Sequence, residues 1–357
     1  MKQLGQFMAI ILLVVGLLVL GRHYLQDNQK LNGDNVVNFY NWGDYIDPDL
    51  LKQFEEETGY VVVYETFDSN EAMLTKVQQG GTNYDLIGPS EYMVETMIEL
   101  GLLETIDAAQ LDNLQYIDEH FLDQSFDPGN HYSIPYFWGT LGIVYNSKFI
   151  DEGDIQSWDD LWKPELRGKV MMIDGAREAL GIGLQSQGWS LNETDSQRLQ
   201  KSADKMKTLM PNIQALLADE IKMYLAMEES PIAVTYSGEA AMAMEENEAL
   251  HYLVPQEGSN IWFDTLAIPK GAKNKKGALA LMNFLMRPEV AAQNAEYIGY
   301  STPNKAAKAL LDPEITSDQA FYPDNDTLDH LEVYRNLGKE KLIEYNDLYL
   351  QVKLEPR

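Results

Sequence analysis

The chain has 357 residues, too many for one ordinary core and suited to two domains of about 100–200 residues each. It carries 27 Lys and Arg against 56 Asp and Glu, a formal charge of −29, and this balance disfavours nucleic acid as a partner because phosphate contact needs basic clusters. It has no cysteine, which excludes disulfides, thiolate metal sites, cysteine nucleophiles and a lipid-modified cysteine.

In chain order the first feature is an apolar run. Residues 7–20 are apolar except for Gly16, and Leu4 and Gly21 extend the run towards the ~17–20 residues that span a bilayer. Lys2 ahead of it completes the pattern of a secretory signal. Gly21 is followed by Arg22, His23 and Tyr24, so a small-x-small cleavage site is missing. We therefore expect residues 1–35 to be an uncleaved signal anchor and a polar tether. The body then lies outside the cytoplasm, held to the outer face of the cytoplasmic membrane, or periplasmic if the segment is cleaved.

Strands and helices alternate after that point. Residues 36–40 read as a strand. Asp47-Pro48 predicts a helix start, with Leu50, Leu51 and Phe54 on its apolar face and Gly59 as its stop. Residues 60–67 form the second predicted strand. Asp68 with Glu71 resembles a capping box for a helix ending at Gly80-Gly81. Residues 84–88 are a third strand, and Ser90 is expected to cap a helix carrying Met93, Val94, Met97 and Ile98. Such alternation predicts βαβ units on a largely parallel sheet, with a ligand beyond the carboxyl ends of the strands. Residues 41–45 and 89–92 both fall at that position.

Residues 127–139, rich in Pro, Gly and aromatics, lead into a strand at 142–145 and read as a crossing into a second domain. A short helix at 157–163, a strand at 169–173 and a helix start at 174–178 follow. Residues 232–236 are another strand, and Ser237-Gly238-Glu239 opens a helix. Residues 261–269 read as the returning strand, 276–286 as an amphipathic helix stopped by Arg287-Pro288, and 331–353 as terminal helices. The expected division is 36–140 plus 266–310 for the first α/β domain and 141–265 plus 311–357 for the second.

Carboxylates and aromatics coincide at the predicted strand ends and helix starts. Trp42, Asp44 and Tyr45 form one cluster, and Trp262 and Asp264 form another. Ser90, Tyr92, Glu178, Tyr236 and Tyr300 occupy similar positions. Carboxylates hold alkylammonium groups through charge-assisted hydrogen bonds of roughly 1.5–3 kcal/mol each. Aromatic faces cover methylenes and add about 0.5–2 kcal/mol of cation–π attraction. The same acids would serve a glycosidase, which also needs two carboxylates. Three positions have plainer readings: Phe39 and Tyr40 as core, Asp47 as a helix cap, and Glu239 as a solvated first-turn acid.

Six stretches, in order, decide between these readings. They are Phe39-Tyr40-Asn41-Trp42-Gly43-Asp44-Tyr45, Tyr84-Asp85-Leu86-Ile87-Gly88-Pro89-Ser90, Ser133-Ile134-Pro135-Tyr136-Phe137-Trp138-Gly139, residues 174–178, residues 262–269, and Ile298-Gly299-Tyr300-Ser301-Thr302-Pro303-Asn304. Together they resemble the bacterial spermidine/putrescine-binding proteins, colinearly from about residue 36 to beyond residue 322. The resemblance implies a two-domain periplasmic-binding-protein-like α/β fold of type II, with the ligand in the interdomain cleft. It also implies delivery to the membrane permease subunits of an ABC transporter. Carried over by position, Trp42, Tyr45, Tyr236, Trp262 and Tyr300 become aromatic walls. Asp44, Glu178 and Asp264 become amine acceptors, and Gly43, Ser90 and Tyr92 complete the set. A cofactor, a metal and a catalytic residue are not expected, and the chain is expected to be a monomer.

The sequence departs from that pattern in places. Gly43 stands where Thr or Ser is usual, Asp44 where Glu occurs, and Tyr236 where the relatives carry Trp. Gly175 stands where an acid holds an amine, so Gly175→Asp is expected to tighten spermidine. Tyr334 replaces a Gln that contacts the ligand, so that contact is not carried over. The same fold also hosts binding proteins for sugars, thiamine and iron complexes, which leaves the solute open on fold alone. No nucleophile–base constellation accompanies the acids.

Overall fold

The computed structural model describes residues 33–80, 83–218, 220–319 and 321–355. The predicted anchor and tether therefore lie outside the described residues, except for residues 33–35.

The first lobe is built from short parallel units. β1 (Val36–Trp42) pairs in parallel with β2 (Val61–Phe67). Between them runs α1 (Pro48–Thr58). Its start is set by Asp47, whose Oδ1 accepts the Asp49 N–H at 2.9 Å, and its end by Gly59 at φ 74°. α2 (Asn70–Gln79) is capped by Ser69, whose hydroxyl oxygen accepts the Ala72 N–H, and not by the predicted Asp68. That one-residue shift leaves the Asp68 carboxylate out of the helix end. β3 (Leu86–Ile87) pairs in parallel with β1 on its other side, and α3 (Glu91–Glu99) follows.

The long strand β4 (Ser133–Asn146) joins the lobes. All of its residues are buried, as expected of a strand covered on both faces. It begins nine residues before the predicted strand at 142, because the aromatic stretch that reads as a connecting loop is itself the strand. The second lobe adds β5 (Val170–Ile173), α4 (Ala176–Gln185), α5 (Ser196–Leu209), β6 (Ile213–Leu217), α6 (Ile221–Ala226), β7 (Ile232–Tyr236), α7 (Ser237–Glu246) and β8 (Leu250–Leu253). β9 (Ile261–Ala267) returns to the first lobe, which is completed by α8 (Lys275–Leu285) and α9 (Pro288–Ile298). α10 (Gly338–Lys353) packs against the second lobe through Tyr345, Leu348, Tyr349 and Val352.

The sheet order is β2-β1-β3-β9-β4-β7-β5-β6, with β8 also on β4. It is mixed, not largely parallel. β1 with its neighbours β2 and β3, and β5 with β6 and β7, are parallel groups. β9 and β4 are antiparallel to each other, and each joins its own group in antiparallel fashion. The first half of β4, from Ser133 to Thr140, pairs with β9, and the second half, from Leu141, pairs with β7 and β8. One continuous strand thus enters both lobes.

Each lobe has its own core. Phe39, Leu50, Phe54, Leu86, Phe263 and Phe284 belong to the first, as do Leu311 and Tyr322. In the second lobe Ile143, Met172 and Val234 face one cluster while Val144, Met171 and Ala233 face another. This alternation is the two-residue period of a strand, and it shows apolar cover on both faces of that sheet.

Candidate functional site

The site forms where strands end and helices begin, on both lobes at once. A cavity of about 590 Å³ opens there. All eleven predicted residues line it: Trp42, Gly43, Asp44 and Tyr45 after β1, Ser90 and Tyr92 at α3, Glu178 on α4, Tyr236 at the end of β7, Trp262 and Asp264 on β9, and Tyr300 after α9. Phe67, Asp68, Asn70, Glu91, Glu239, Asn260 and Tyr334 line it as well. The tally of its charges is one-sided. Asp44, Asp68, Glu91, Glu178, Glu239 and Asp264 supply six carboxyl groups, and no Lys, Arg or His is among the lining residues. A second hollow of about 660 Å³, bordered by Phe149, Leu166 and Pro231, carries Lys163 and Lys169 beside its acids and lies away from these strand ends.

Asp264 is the most closely held acid. Its Oδ1 accepts the Ser90 hydroxyl at 2.6 Å and its Oδ2 accepts the Tyr45 hydroxyl at 2.5 Å. Ser90 occupies the N-cap position of α3 without capping it, because its hydroxyl is directed to Asp264. Asn70 fixes the same corner: its amide donates to the Ser90 and Tyr92 oxygens, both at 3.0 Å. Burial pushes the Asp264 carboxyl up to about 6, against the pull of Ser90, Tyr45 and the Trp42 indole.

The second lobe holds its acids differently. Glu178 Oε1 accepts the Tyr236 hydroxyl at 2.8 Å. Its other oxygen lies over Gly175, where a Cβ would stand only 1.8 Å away. Gly175 has an ordinary extended φ of −137°, so its lack of a side chain serves space, not backbone strain. The neighbouring Asp174 turns away from the cavity to accept from Tyr349 and Lys353, at 2.8 and 2.7 Å. Glu239 is buried at 6% exposure and not the solvated acid the sequence suggested, and the Tyr300 hydroxyl donates to it at 3.2 Å. The helix start that carries it faces the other lobe and not water.

Aromatic rings connect these acids. Tyr45, Tyr300, Trp262 and Tyr236 follow one another edge to face at 5.4, 5.4 and 6.4 Å between centroids. This is a favoured geometry for aromatic pairs. Phe67 supports Trp42 at 4.6 Å. Tyr334 is buried and lines the cavity, with the Arg177 guanidinium 4.4 Å from its ring on α4. A ring thus lines the cavity at the position where the resemblance pointed to a Gln. Asp44 is exposed at the mouth, in a left-handed turn at φ 50° that Asp tolerates better than most residues. Gly43 beside it presents only backbone.

Sequence reasoning passed over Asn70 and Glu91, and it set Tyr334 aside although that residue lines the cavity. Glu91 lies between the predicted Ser90 and Tyr92, and Asn70 opens α2, so a helix start was the available signal at both. Tyr334 lies far along the chain, and no local pattern marks it.

Comparisons with known proteins identify the family and the fold. The family model described as bacterial extracellular solute-binding protein matches residues 49–323. The spermidine/putrescine-binding periplasmic protein of Escherichia coli K12 is 40% identical over 344 residues, covering 96% of this chain and 97% of that protein. The putrescine-binding periplasmic protein PotF of the same organism is 32% identical, covering 82% of this chain and 84% of that one. The crystal structure of the spermidine/putrescine ABC transporter substrate-binding protein PotD from Streptococcus pneumoniae, in complex with calcium and HEPES, superposes with a TM-score of 0.86. It is 54% identical and covers 90% of this chain and 99% of that chain.

Proposed function

The chain belongs to the bacterial extracellular solute-binding protein family, and from that premise we propose that it captures a polyamine, spermidine or putrescine, for an ABC importer. One observation carries the reading. The cavity combines six carboxyl groups with a run of aromatic rings and no basic side chain. A neutral solute would leave that charge uncompensated, whereas a flexible chain of ammonium groups and methylenes matches both wall types. The names of the relatives support the same chemistry.

In this reading Asp264 holds one terminal nitrogen. Glu178 on the opposite lobe, with Asp44 at the mouth, takes others. Trp42, Tyr45, Tyr236, Trp262 and Tyr300 enclose the methylenes, and Ser90 and Tyr92 fix the corner through Asn70. Gly43 lends backbone. The moving bodies follow the two cores: residues 36–140 with 261–333, and residues 141–260 with 337–355. Permease subunits in the membrane receive the loaded protein, and the chain performs no reaction itself.

Calorimetric titration tests the reading. Spermidine or putrescine should bind with a dissociation constant on the order of micromolar or tighter, roughly −8 kcal/mol. Heat with a neutral sugar, thiamine or an iron complex, and none with either amine, would overturn it.

We further propose that the apolar N-terminal run tethers the protein outside the cytoplasm. Among the described residues no helix is long and apolar enough to cross a membrane, so the tether rests on residues 1–35 alone. Full-length protein should stay with membranes after a high-salt wash, and a mature N-terminus found just after Gly21 would refute this.

A further inference from the structure

Glu91 opens α3 between Ser90 and Tyr92. It lines the cavity while only 1% of its surface is exposed. Its Oε2 accepts the Phe263 N–H at 3.0 Å. Phe263 stands between Trp262 and Asp264, so the carboxyl is fixed to the part of β9 that carries both. The groups acting on it come from four places. They are Asp264 from β9, Arg177 from the start of α4, Tyr334 from the segment before α10, and Tyr92 from its own helix. Tyr334 feels the charge of both Glu178 and Glu91, and all three line the same cavity.

A tether from α3 to β9 needs only an oxygen acceptor. An amide would supply one without placing an ionisable group in a dry position. A carboxyl can do something more: it can exchange its proton for a cation. We propose that Glu91 is a further amine acceptor of this cavity, and that an incoming ammonium group replaces its proton, which leaves to solvent. The exchange balances: the neutral acid and the ammonium become a carboxylate–ammonium pair plus one released proton. Burial raises the carboxyl to about 8, with Asp264 adding to the rise and the Phe263 N–H and Arg177 opposing it. The empty site thus holds Glu91 neutral near pH 7, which spares it repulsion from Asp264. A bound cation reverses that preference.

This inference rests on the polyamine reading, and one experiment separates the two. Full-length protein at pH 7 is titrated with spermidine and putrescine by calorimetry in two buffers of different ionisation heat. Wild type should release about one proton per amine bound. Glu91→Gln keeps an oxygen for the Phe263 N–H, so the fold should persist. It should release almost none and bind about tenfold more weakly or worse. The affinity gap between the two should widen as pH rises from about 6 to about 8.5. Carboxyl-carbon NMR of wild type, which needs no variant, should show Glu91 ionising as amine is added. Unchanged proton release and affinity in Glu91→Gln, or a Glu91 signal that stays protonated in the complex, would overturn the proposal and leave the polyamine reading intact. Wild type that binds neither amine would overturn both.

Discussion

The two walls of the cavity carry the same kind of acid in opposite settings. On the first lobe Asp264 is buried and clamped, with a hydroxyl on each oxygen. On the second, Glu178 is half-buried, holds one hydroxyl from Tyr236, and rests its other oxygen in the space over Gly175. A clamped acceptor is ordered before the ligand arrives and loses little freedom on binding. A glutamate with open space behind it can change rotamer at small cost. The first wall thus presents a fixed acceptor and the second an adjustable one, an arrangement suited to amines that share an end group and differ in length. The two walls meet directly where the Tyr300 ring lies against Gly238, so close that a Cβ there would stand 1.6 Å from a ring carbon.

The largest effect should come from breaking the fixed wall. Asp264→Asn is expected to weaken amine binding by about 2–5 kcal/mol, the range for truncating one member of a buried charge pair. Its melting temperature without ligand should hold or rise at alkaline pH, because an anion is no longer buried. Calorimetry and a melting scan decide it: an unchanged affinity would remove Asp264 from the site.

The meeting point of the walls comes next. Gly238→Ala should hinder their approach and weaken both amines by about 1–3 kcal/mol, the scale of overpacking. Each lobe keeps its own core, so circular dichroism should show an intact fold. Small-angle scattering should show a more open molecule with ligand than wild type. A compact liganded variant with wild-type affinity would show that this contact does not govern closure.

Protonation sharpens the comparison further, because it is the first wall that carries the raised acids. Asp264 at about 6 and Glu91 at about 8 both lie above their ordinary values of 3.8 and 4.5. The folded state therefore keeps protons that the unfolded chain gives up. Their contribution to stability is present below about pH 4 and is lost as pH rises through about 6 and then about 8. Ligand-free protein should melt several degrees lower at pH 8.5 than at pH 5, at about 2–4 °C per kcal/mol for chains of this order. Saturating amine should reduce that slope. A melting temperature that rises across this interval would contradict the assignment.

The smallest effect is expected at the adjustable wall. Gly175→Asp meets no backbone strain, but its side chain enters the space that Glu178 occupies. The new acid displaces Glu178 instead of adding to it, so the tightening of spermidine expected from sequence should not appear. Both amines should weaken slightly, by about 0.5 kcal/mol, the scale of a like-charge pair on one helix turn. A tenfold gain for spermidine alone would show that the two carboxylates coexist.

Local features were legible in the sequence to the extent that their causes are local. Asp47, Pro48 and Gly59 set the limits of α1 within a few residues of themselves, and the apolar spacing of α3 marked its buried face. α5 carried the same kind of signal in Leu199, Ala203, Met206 and Leu209, diluted by charged neighbours, and went unread. Eleven of the residues that line the cavity were legible as residue types at strand ends, together with a resemblance to a known family. What each of them does was decided by the fold. The partners of Asp264 lie 174 and 219 residues away along the chain, and they meet it only because β9 returns to pair with β3 and β4. The burial of Glu91 and Glu239, the turn of Asp174 towards Lys353, and the room that Gly175 leaves for Glu178 have the same origin. Helix caps and periodicity act through neighbouring backbone, whereas the dielectric, the hydrogen-bond partners and the free volume around an acid are set by segments the chain brings together only in three dimensions.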